Sequence, residues 1–582
     1  MTLLPPGMPA HLDYPDCAVG DILAGTARRY PDRTAVRDGE ESLTYAELHW
    51  LALRLAEGLR RRGVRPGQAV ALHQPNSLRY TLCYYGVLLA GAAVAPLSPM
   101  LPAALLAEHL AEVDAVAVIT HPAVGPLLAA ARAAAPLPAL RLVAEIPATH
   151  AAPGPTSGAD GTGVSTPESG INPDVSSAHP VTVPFAELVD VPAAPATPVP
   201  NTAPAHLSFT GGTTGRSKAV LITHRSVVAN ALQMGCWRAA ALPRVDPQGG
   251  LYLEQVPDAM DPSTVPLGQS VLLAVAPMFH AMGLGTQNIC TQSATTVVIA
   301  GRFEPARYLA DLQRWRVTSL GGSPALYHAL LAVPEIGKAD LSSVRLVSSG
   351  AAPLDSATMS RLRELFPQAA ITEGYGLTEA TMGLTGHPPT PDAPAPIGSV
   401  GVPVYDTEIE IRDPVTREPL PFGAIGEVWA RGPQLAEGYH NHPELTAEQF
   451  ADGWLRTGDL GRTDADGWLF LVGRAKDMLI HNGYNVYPGP LEELLHRHPA
   501  VAVAAVVGAP DPVAGENPVA YVVPRAGYAP SPELADDLIA HVAAQVAPYQ
   551  RVRAVHFRAA LPLSAAGKVL KTELRRNAPD LT

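Results

Sequence analysis

Five short segments of the chain carry residue types that can do chemistry at close quarters. Thr210-Gly-Gly-Thr-Thr-Gly-Arg-Ser-Lys218 lies between two apolar runs, Leu207–Phe209 and Val220–Ile222. Gly211, Gly212 and Gly215 let backbone N–H groups converge on an anion, the hydroxyls of Thr210, Thr213 and Thr214 add donors, and Lys218 adds a positive charge. The spacing excludes a Walker A loop, which needs Gly-Lys-Ser/Thr opening a helix. Here Lys218 follows Arg-Ser and leads into a predicted strand.

The second segment, Glu373-Gly-Tyr-Gly-Leu-Thr-Glu379, sets an aromatic ring, a hydroxyl and a carboxylate among Gly374 and Gly376. Tyr375 can stack on a flat base, Thr378 can donate to a phosphate, and Glu379 offers the hard oxygen that magnesium prefers. The third, Trp454-Leu-Arg-Thr-Gly-Asp459, places a carboxylate after a tight turn, suited to a ribose diol. The fourth is Gly473-Arg-Ala-Lys-Asp-Met-Leu-Ile-His-Asn-Gly483 with Tyr484 following, and the fifth is Pro562-Leu-Ser-Ala-Ala-Gly-Lys568. Taken singly, each has a plainer reading: a glycine-rich β-turn, a turn with a core tyrosine, an Asx-turn, a solvated surface lysine. Nearby Asp464-Ala-Asp-Gly467 starts like a calcium loop, but its glycine comes too early, so it reads as a hairpin turn.

These segments need a scaffold, and the first third of the chain predicts one. Thr44 and Glu47 form a capping-box signature ahead of Leu48, Leu51, Leu55 and Leu59 on one helical face, ended by Gly63. A strand at Ala69–Leu72, a helix at Tyr80–Leu89, a strand near Val94, a helix near Leu105 and a strand at Val116–Ile119 follow. Such alternation predicts an α/β fold with a parallel sheet covered by helices on both faces. From about residue 150 to 184 the composition turns to Pro, Ser, Gly, Thr and Ala, which cannot bury enough apolar surface to offset ordering entropy. We expect a disordered insertion there. After Arg474 a helix, two apolar strands, a second helix and a basic helix predict a small α+β unit. The expected division is therefore 1–473 and 474–582.

Composition removes several function classes. The 41 basic and 54 acidic residues give a formal charge of −13, which disfavours nucleic acid as a partner. Four cysteines without a CxxC pair argue against a zinc site or disulfide framework and suit a cytoplasmic location. The N-terminus has no basic and apolar leader pattern, and the most apolar stretch, Cys83–Ala107, is interrupted by Gly91, Pro96 and Pro99. Neither a secretion signal nor a membrane span is expected.

Together and in this order, the five segments resemble those of the adenylate-forming superfamily of acyl-CoA synthetases, peptide-synthetase adenylation domains and luciferases. The resemblance runs from Thr44 to Lys568. It implies a large N-terminal domain of parallel and mixed sheets with flanking helices and a β-barrel-like subdomain. A small mobile α+β C-terminal domain completes it, with the active site between the two. It further implies ATP, Mg2+ and coenzyme A as cofactors and two half-reactions, acyl-adenylate formation with release of pyrophosphate and then thiol attack on the acyl carbon. By motif, the Thr210–Lys218 loop would hold the β- and γ-phosphates, and Gly350-Ala351-Ala352 would wall the adenine with Tyr375. Thr378 and Glu379 would meet phosphate and magnesium, and Asp459 with Arg474 the ribose. Lys568 would bridge the carboxylate and α-phosphate, Lys476 would be the hinge, and Gly483 and Tyr484 would serve the thiol step. The chain departs from the family pattern at Ala219, where glycine is usual, and at Pro490, where glutamate is usual; Glu492 and Glu493 follow it.

Pro277-Met-Phe-His-Ala-Met-Gly283 resembles the wall of the acyl pocket, with Phe279, His280 and Gly283 facing the acid and Gly322 and Ser323 leaving room beside it. No aspartate specific for an amine stands in these stretches, so an apolar aliphatic or aryl acid is expected in an uncharged pocket. Coenzyme A is the favoured acceptor because no carrier domain is fused. A free-standing carrier protein or another nucleophile is the alternative, and a silent AMP-binding protein a remote one, since a pure binder has no need of Lys568. A homodimer is compatible with this organisation.

Overall fold

The computed structural model describes residues 4, 7–147, 180–210, 218–260, 264–350, 354–388, 395–563 and 569–576. Two large sheets dominate the first 400 residues. One has eight strands, in the spatial order 438–439, 219–223, 204–209, 93–97, 69–73, 117–120, 142–145, 181–184, parallel from Pro204–Phe209 outward. The other has nine, of which Thr34–Asp38, Thr296–Ile299, Val271–Ala274, Ser319–Gly322, Leu346–Ser349 and Ala370–Tyr375 run parallel to one another.

Between these sheets lies the main core. The helix Leu78–Leu89 is buried at every position, which suits a largely apolar sequence whose polar Arg79 and Thr81 are paired with Glu41 and Gln287. It shares its core with Val70 and Leu72 of the first sheet, Val36 and Ile299 of the second, and Leu232 of the helix His224–Ala239. The predicted helix after Thr44 spans Tyr45–Arg61, and Thr44 and Glu47 exchange the two capping-box hydrogen bonds at 3.2 and 2.8 Å. Its Leu48, Leu51, Leu55 and Leu59 are all buried. The remaining predicted strands and helices of this third of the chain also form.

The low-complexity prediction needs a correction at its C-terminal end. Residues 148–179 lie outside the described residues, but Val181–Pro184 is an ordered edge strand parallel to Leu142–Glu145. Val183 is buried, as are Phe185 and Leu188 just beyond it, so these apolar side chains anchor a segment whose composition alone reads as disordered.

A third, antiparallel sheet follows, built on Glu408–Arg412, Gly426–Arg431, Trp454–Thr463 and Leu469–Arg474. Asp464–Gly467 is the hairpin turn of its last pair, with Asp464 Oδ1 accepting from the N–H groups of Asp466 and Trp468. The chain then leaves through a short 3-10 turn, Ala475–Asp477, and Leu479–His481 already belongs to another sheet. That last sheet pairs Val501–Asp511 with Gly515–Pro524 and packs on the helices Pro488–His496 and Pro532–Ala543. Pro488 occupies the first turn of its helix, where its missing N–H has no partner to lose. All four cysteines are free and buried, and no described helix is long and apolar enough to cross a membrane.

Candidate active site

Four adjacent parallel strands of the nine-stranded sheet, Val271–Ala274, Ser319–Gly322, Leu346–Ser349 and Ala370–Tyr375, deliver their carboxyl ends to one edge. In a parallel sheet that edge is where ligands find turns with free backbone groups. The register sets Gly322 beside Ser349 and Ser349 beside Glu373. From these ends emerge the segments singled out by sequence: Pro277–Gly283, Gly322–Ser323, Gly350 and Gly376–Glu379. Segments remote in the chain thus become neighbours.

All but Pro277 and Ser323 of these residues line a cavity of about 1760 Å³ that also takes in Thr210, Lys218, Asp459, Arg474 and Lys476. Thr210 and Lys218 close the phosphate-type loop at the end of a β-hairpin, with the Thr210 N–H donating to the Lys218 carbonyl at 3.3 Å. Gly211, Gly212, Thr213, Thr214 and Gly215 lie outside the described residues, as do Ala351, Ala352 and Lys568. Residues flanking Lys568 on either side, Leu563 and Val569 to Thr572, line the cavity.

Tyr375 is buried, and its hydroxyl donates to Asp459 Oδ2 at 2.7 Å. Burial first, and then the Asp459 charge, push the Tyr375 pKa well above its ordinary value, so the phenol stays a donor. Strand pairing sets Asp459 opposite Arg474, whose Nε lies 3.0 Å from Asp459 Oδ1. Burial works against the Arg474 charge, but Asp459 and Tyr375 outweigh it and hold its pKa above the usual value. Asp459 is therefore a carboxylate fixed from two sides, a rigid acceptor for a diol.

Glu379 accepts from the Tyr439 hydroxyl at 2.8 Å through Oε1. Desolvation raises its pKa, while the hydrogen bond from Tyr439 and the Arg474 charge act against that. One carboxylate plus substrate phosphates is an ordinary coordination for magnesium, and among the described residues no three-ligand cluster competes for a metal. Gly376 approaches its neighbours so closely that a Cβ would collide with the Met382 carbonyl, so only glycine lets this turn close.

Other predicted residues fall elsewhere. His280 lines the cavity as the N-cap of the helix Ala281–Gln292, and Phe279, Gly283 and Gly322 line it too. Ser323 is instead the N-cap residue of the helix Pro324–Leu331; Gly321, Gly322 and Pro324 face the cavity while Ser323 does not. Gly483 and Tyr484 are away from the cleft. Gly483 forms a tight Asn482–Gly483 turn with both residues at positive φ, and Tyr484 is exposed, stacked on Tyr549 with ring centroids 4.6 Å apart. The Pro488-Gly-Pro490 departure keeps its acidic neighbours engaged. Glu492 pairs with Lys571 at 2.7 Å and accepts from the Val506 N–H, and Glu493 accepts from Ser356 of the large domain at 3.2 Å.

Sequence reasoning missed Tyr439, Glu373 and Arg238. Nothing local marks Tyr439 as a partner of Glu379, 60 residues away. In sequence Glu373 is only the first residue of its motif, yet burial pushes its pKa up to about 8, with the charges of Glu493 and Asp355 acting in the same direction. Arg238 lines the same cavity as Phe279 and His280, so its lining is not uncharged. A cation inside the otherwise neutral face of Met234, Trp237 and Ala241 was the available signal.

A family model described as AMP-binding enzyme matches residues 23–440, and one described as AMP-binding enzyme C-terminal domain matches residues 490–568. The chain is 34% identical over 551 residues to a feruloyl-CoA synthase from an Amycolatopsis species, covering 94% of this chain and 97% of that one. It is 30% identical over 575 residues to a long-chain-fatty-acid–CoA ligase of Bacillus subtilis, covering 98% and 96%. Among solved structures, ATP-bound MatB from Rhodopseudomonas palustris matches with a TM-score of 0.78 at 26% identity, over 96% of this chain and 98% of that one.

Proposed function

This chain belongs to the AMP-binding enzyme family, and from that premise we propose how its own residues carry out the two steps of an AMP-forming acid–thiol ligase. Such a ligase joins a carboxylate to the α-phosphate of ATP, releasing pyrophosphate, and then passes the acyl group to the sulfur of coenzyme A, releasing AMP. The observation that carries the assignment of roles is the Tyr375–Asp459–Arg474 cluster, joined to the carboxyl end of one of the four parallel strands and lining the same cavity as the others.

In this reading Asp459 receives the ribose hydroxyls, and Tyr375 and Gly350–Ala352 receive the adenine. The loop from Thr210 to Lys218 takes the β- and γ-phosphates. Thr378 donates to phosphate, and Glu379 would hold a magnesium ion, which would supply positive charge to the phosphates. Lys568 offsets the repulsion between the attacking carboxylate and the α-phosphate, where a positioned cation in a dry site acts most strongly. That the neighbours of Lys568 line the cavity while Gly483 and Tyr484 do not supports an adenylating arrangement of the two domains. Lys476, in the short turn between the two sheets, is the hinge about which the small domain, from residue 474 onward, turns for the thiol step. Burial lowers the Lys476 pKa, Arg474 adds to that, and its surroundings change when the domain swings.

The acid lies along Phe279, His280, Gly283 and Gly322, a largely apolar wall suited to an aliphatic or aryl substrate. Coenzyme A rather than a carrier protein is the acceptor, in line with the named activities of the relatives. Pyrophosphate release across fatty, aryl and amino acids, with and without coenzyme A, tests this. Acid-dependent release with fatty or aryl acids, and thioester only when coenzyme A is present, is expected. Release that no acid stimulates would overturn it.

A further inference from the structure

The acyl side of the cavity is bounded by two helices. His224–Ala239 contributes Met234, Trp237 and Arg238, spaced so that they share one face. Ala281–Gln292 contributes Gly283, Thr286, Gln287 and Ile289, beginning at its N-cap His280. From His280 to Ile289 the helix advances about 13 Å, so the cavity has depth as well as a mouth. Met234 packs beside Gly383, just beyond the Glu373–Glu379 motif, and Arg238 sits one turn, about 6 Å, further along.

Arg238 is an unusual residue for that place. Its carbonyl accepts from the Val265 N–H, but among the described residues its guanidinium has no hydrogen-bond or ion-pair partner. Burial lowers its pKa, although the residue is only half-buried and faces the cavity. Cys290 is the neighbour that would favour the charge, yet burial holds that thiol at about 12, so it stays neutral and is no counter-ion. The last turn of a helix is a favourable place for a cation, but the dipole offsets only a small part of the penalty for a desolvated, unpaired guanidinium.

A second donor lines the same cavity from the facing helix. Gln287 is 5% exposed; its Oε1 accepts from Thr81 at 2.9 Å, while its Nε2 has no acceptor. Buried donors without acceptors are uncommon in folded proteins and point to a missing partner. Gln287 Nε2 is such a donor, and it lines the same cavity as the half-buried Arg238, together with Trp237, Ile289 and Val297.

We infer that the deep end of the acyl cavity is an anion subsite formed by Arg238 and Gln287, and that the acid activated here is a dicarboxylate with an apolar middle. The inference rests on the ligase reading above and narrows its substrate. One carboxylate lies at His280 and is activated; the other meets the guanidinium, whose paired N–H groups match two carboxylate oxygens. A monoacid of the same length leaves both donors unpaired inside the protein, and the site discriminates against it by that cost.

The test compares matched monoacids, diacids and diacid half-methyl esters of equal chain length by pyrophosphate release, in the wild type, Arg238→Met and Arg238→Lys. The wild type should favour the diacid over both neutral-ended analogues by about 100-fold in kcat/KM. Arg238→Met should bring that ratio to about one while raising kcat/KM for the monoacid, and Arg238→Lys should restore part of the preference. Equal or better turnover of monoacids by the wild type, with a ratio that Arg238→Met does not move, would overturn the subsite and leave the ligase reading intact. No release with any acid would overturn both.

Discussion

The hydroxyl of Tyr375 donates at 2.7 Å to Asp459, a residue 84 positions further along the sequence. The tyrosine belongs to the nine-stranded sheet and the aspartate to the antiparallel sheet that follows it. The bond therefore joins two sheets at the point where we propose that the nucleotide lies.

Removing that hydroxyl leaves the ring in place and frees one oxygen of Asp459, while Arg474 still holds the other. A hydrogen bond to a charged group contributes about 1.5–3 kcal/mol. Tyr375→Phe should therefore raise the KM for ATP by about 10-fold or more with little change in kcat, measured by ATP–pyrophosphate exchange. A fall in kcat at constant KM would show that the hydroxyl acts on the reaction and not on Asp459.

Lys568 is flanked by small-domain residues, Leu563 and Val569 to Thr572, that line the cavity. Lys568→Ala should abolish acid-dependent ATP–pyrophosphate exchange, by a factor on the order of 100 to 1000. It should spare conversion of supplied acyl-adenylate to thioester. Undiminished exchange would remove this lysine from the first step.

Glu373 is 4% exposed and accepts from the Leu354 N–H at 3.1 Å. Burial lifts its pKa from 4.5 to about 8, so the native state keeps a proton that the unfolded chain gives up. Its contribution to stability is largest below about pH 4.5, falls as the pH rises towards 8, and is flat above that. A tenfold change in proton affinity is worth about 1.4 kcal/mol, so the native state loses a few kcal/mol across that interval. Glu373→Gln keeps an acceptor for Leu354 without the charge. Its melting temperature should exceed that of the wild type at pH 8 and approach it at pH 5; a constant offset across that range would contradict the assignment.

Residues 151–179 contribute composition unsuited to a core, and the strands on either side of them are parallel. The connection must return along a four-residue strand, about 13 Å. Ile146–His150 and Pro180 reach about 20 Å when extended, so a chain lacking 151–179 can still close. That deletion should leave activity near wild type. Extending it through Phe185 removes the edge strand and the buried Val183 and Phe185, and should lower the melting temperature by several degrees. Equal behaviour of the two deletions in a thermal melt would show the strand to be dispensable.

Much of this protein was already decided by local spacing. Thr44 and Glu47 cap their helix, Asp464 folds its own turn, and Leu207–Phe209 and Val220–Ile222 make the hairpin that carries the Thr210–Lys218 loop. Those features depend on hydrogen bonds and apolar contacts a few residues apart, which a linear pattern records directly. The order of the five motifs likewise identified the family. What the tertiary structure decided is which distant groups meet. It gave Glu379 its Tyr439 and Asp459 its Tyr375, made Glu373 a buried acid, and ordered Val181–Pro184 as a strand. It also brought Arg238 and Gln287 from two helices to one cavity, with the Gln287 Nε2 lacking an acceptor among the described residues. Whether a charge is paired or desolvated depends on everything packed around it, and parallel strands bring those neighbours from separate stretches of the chain.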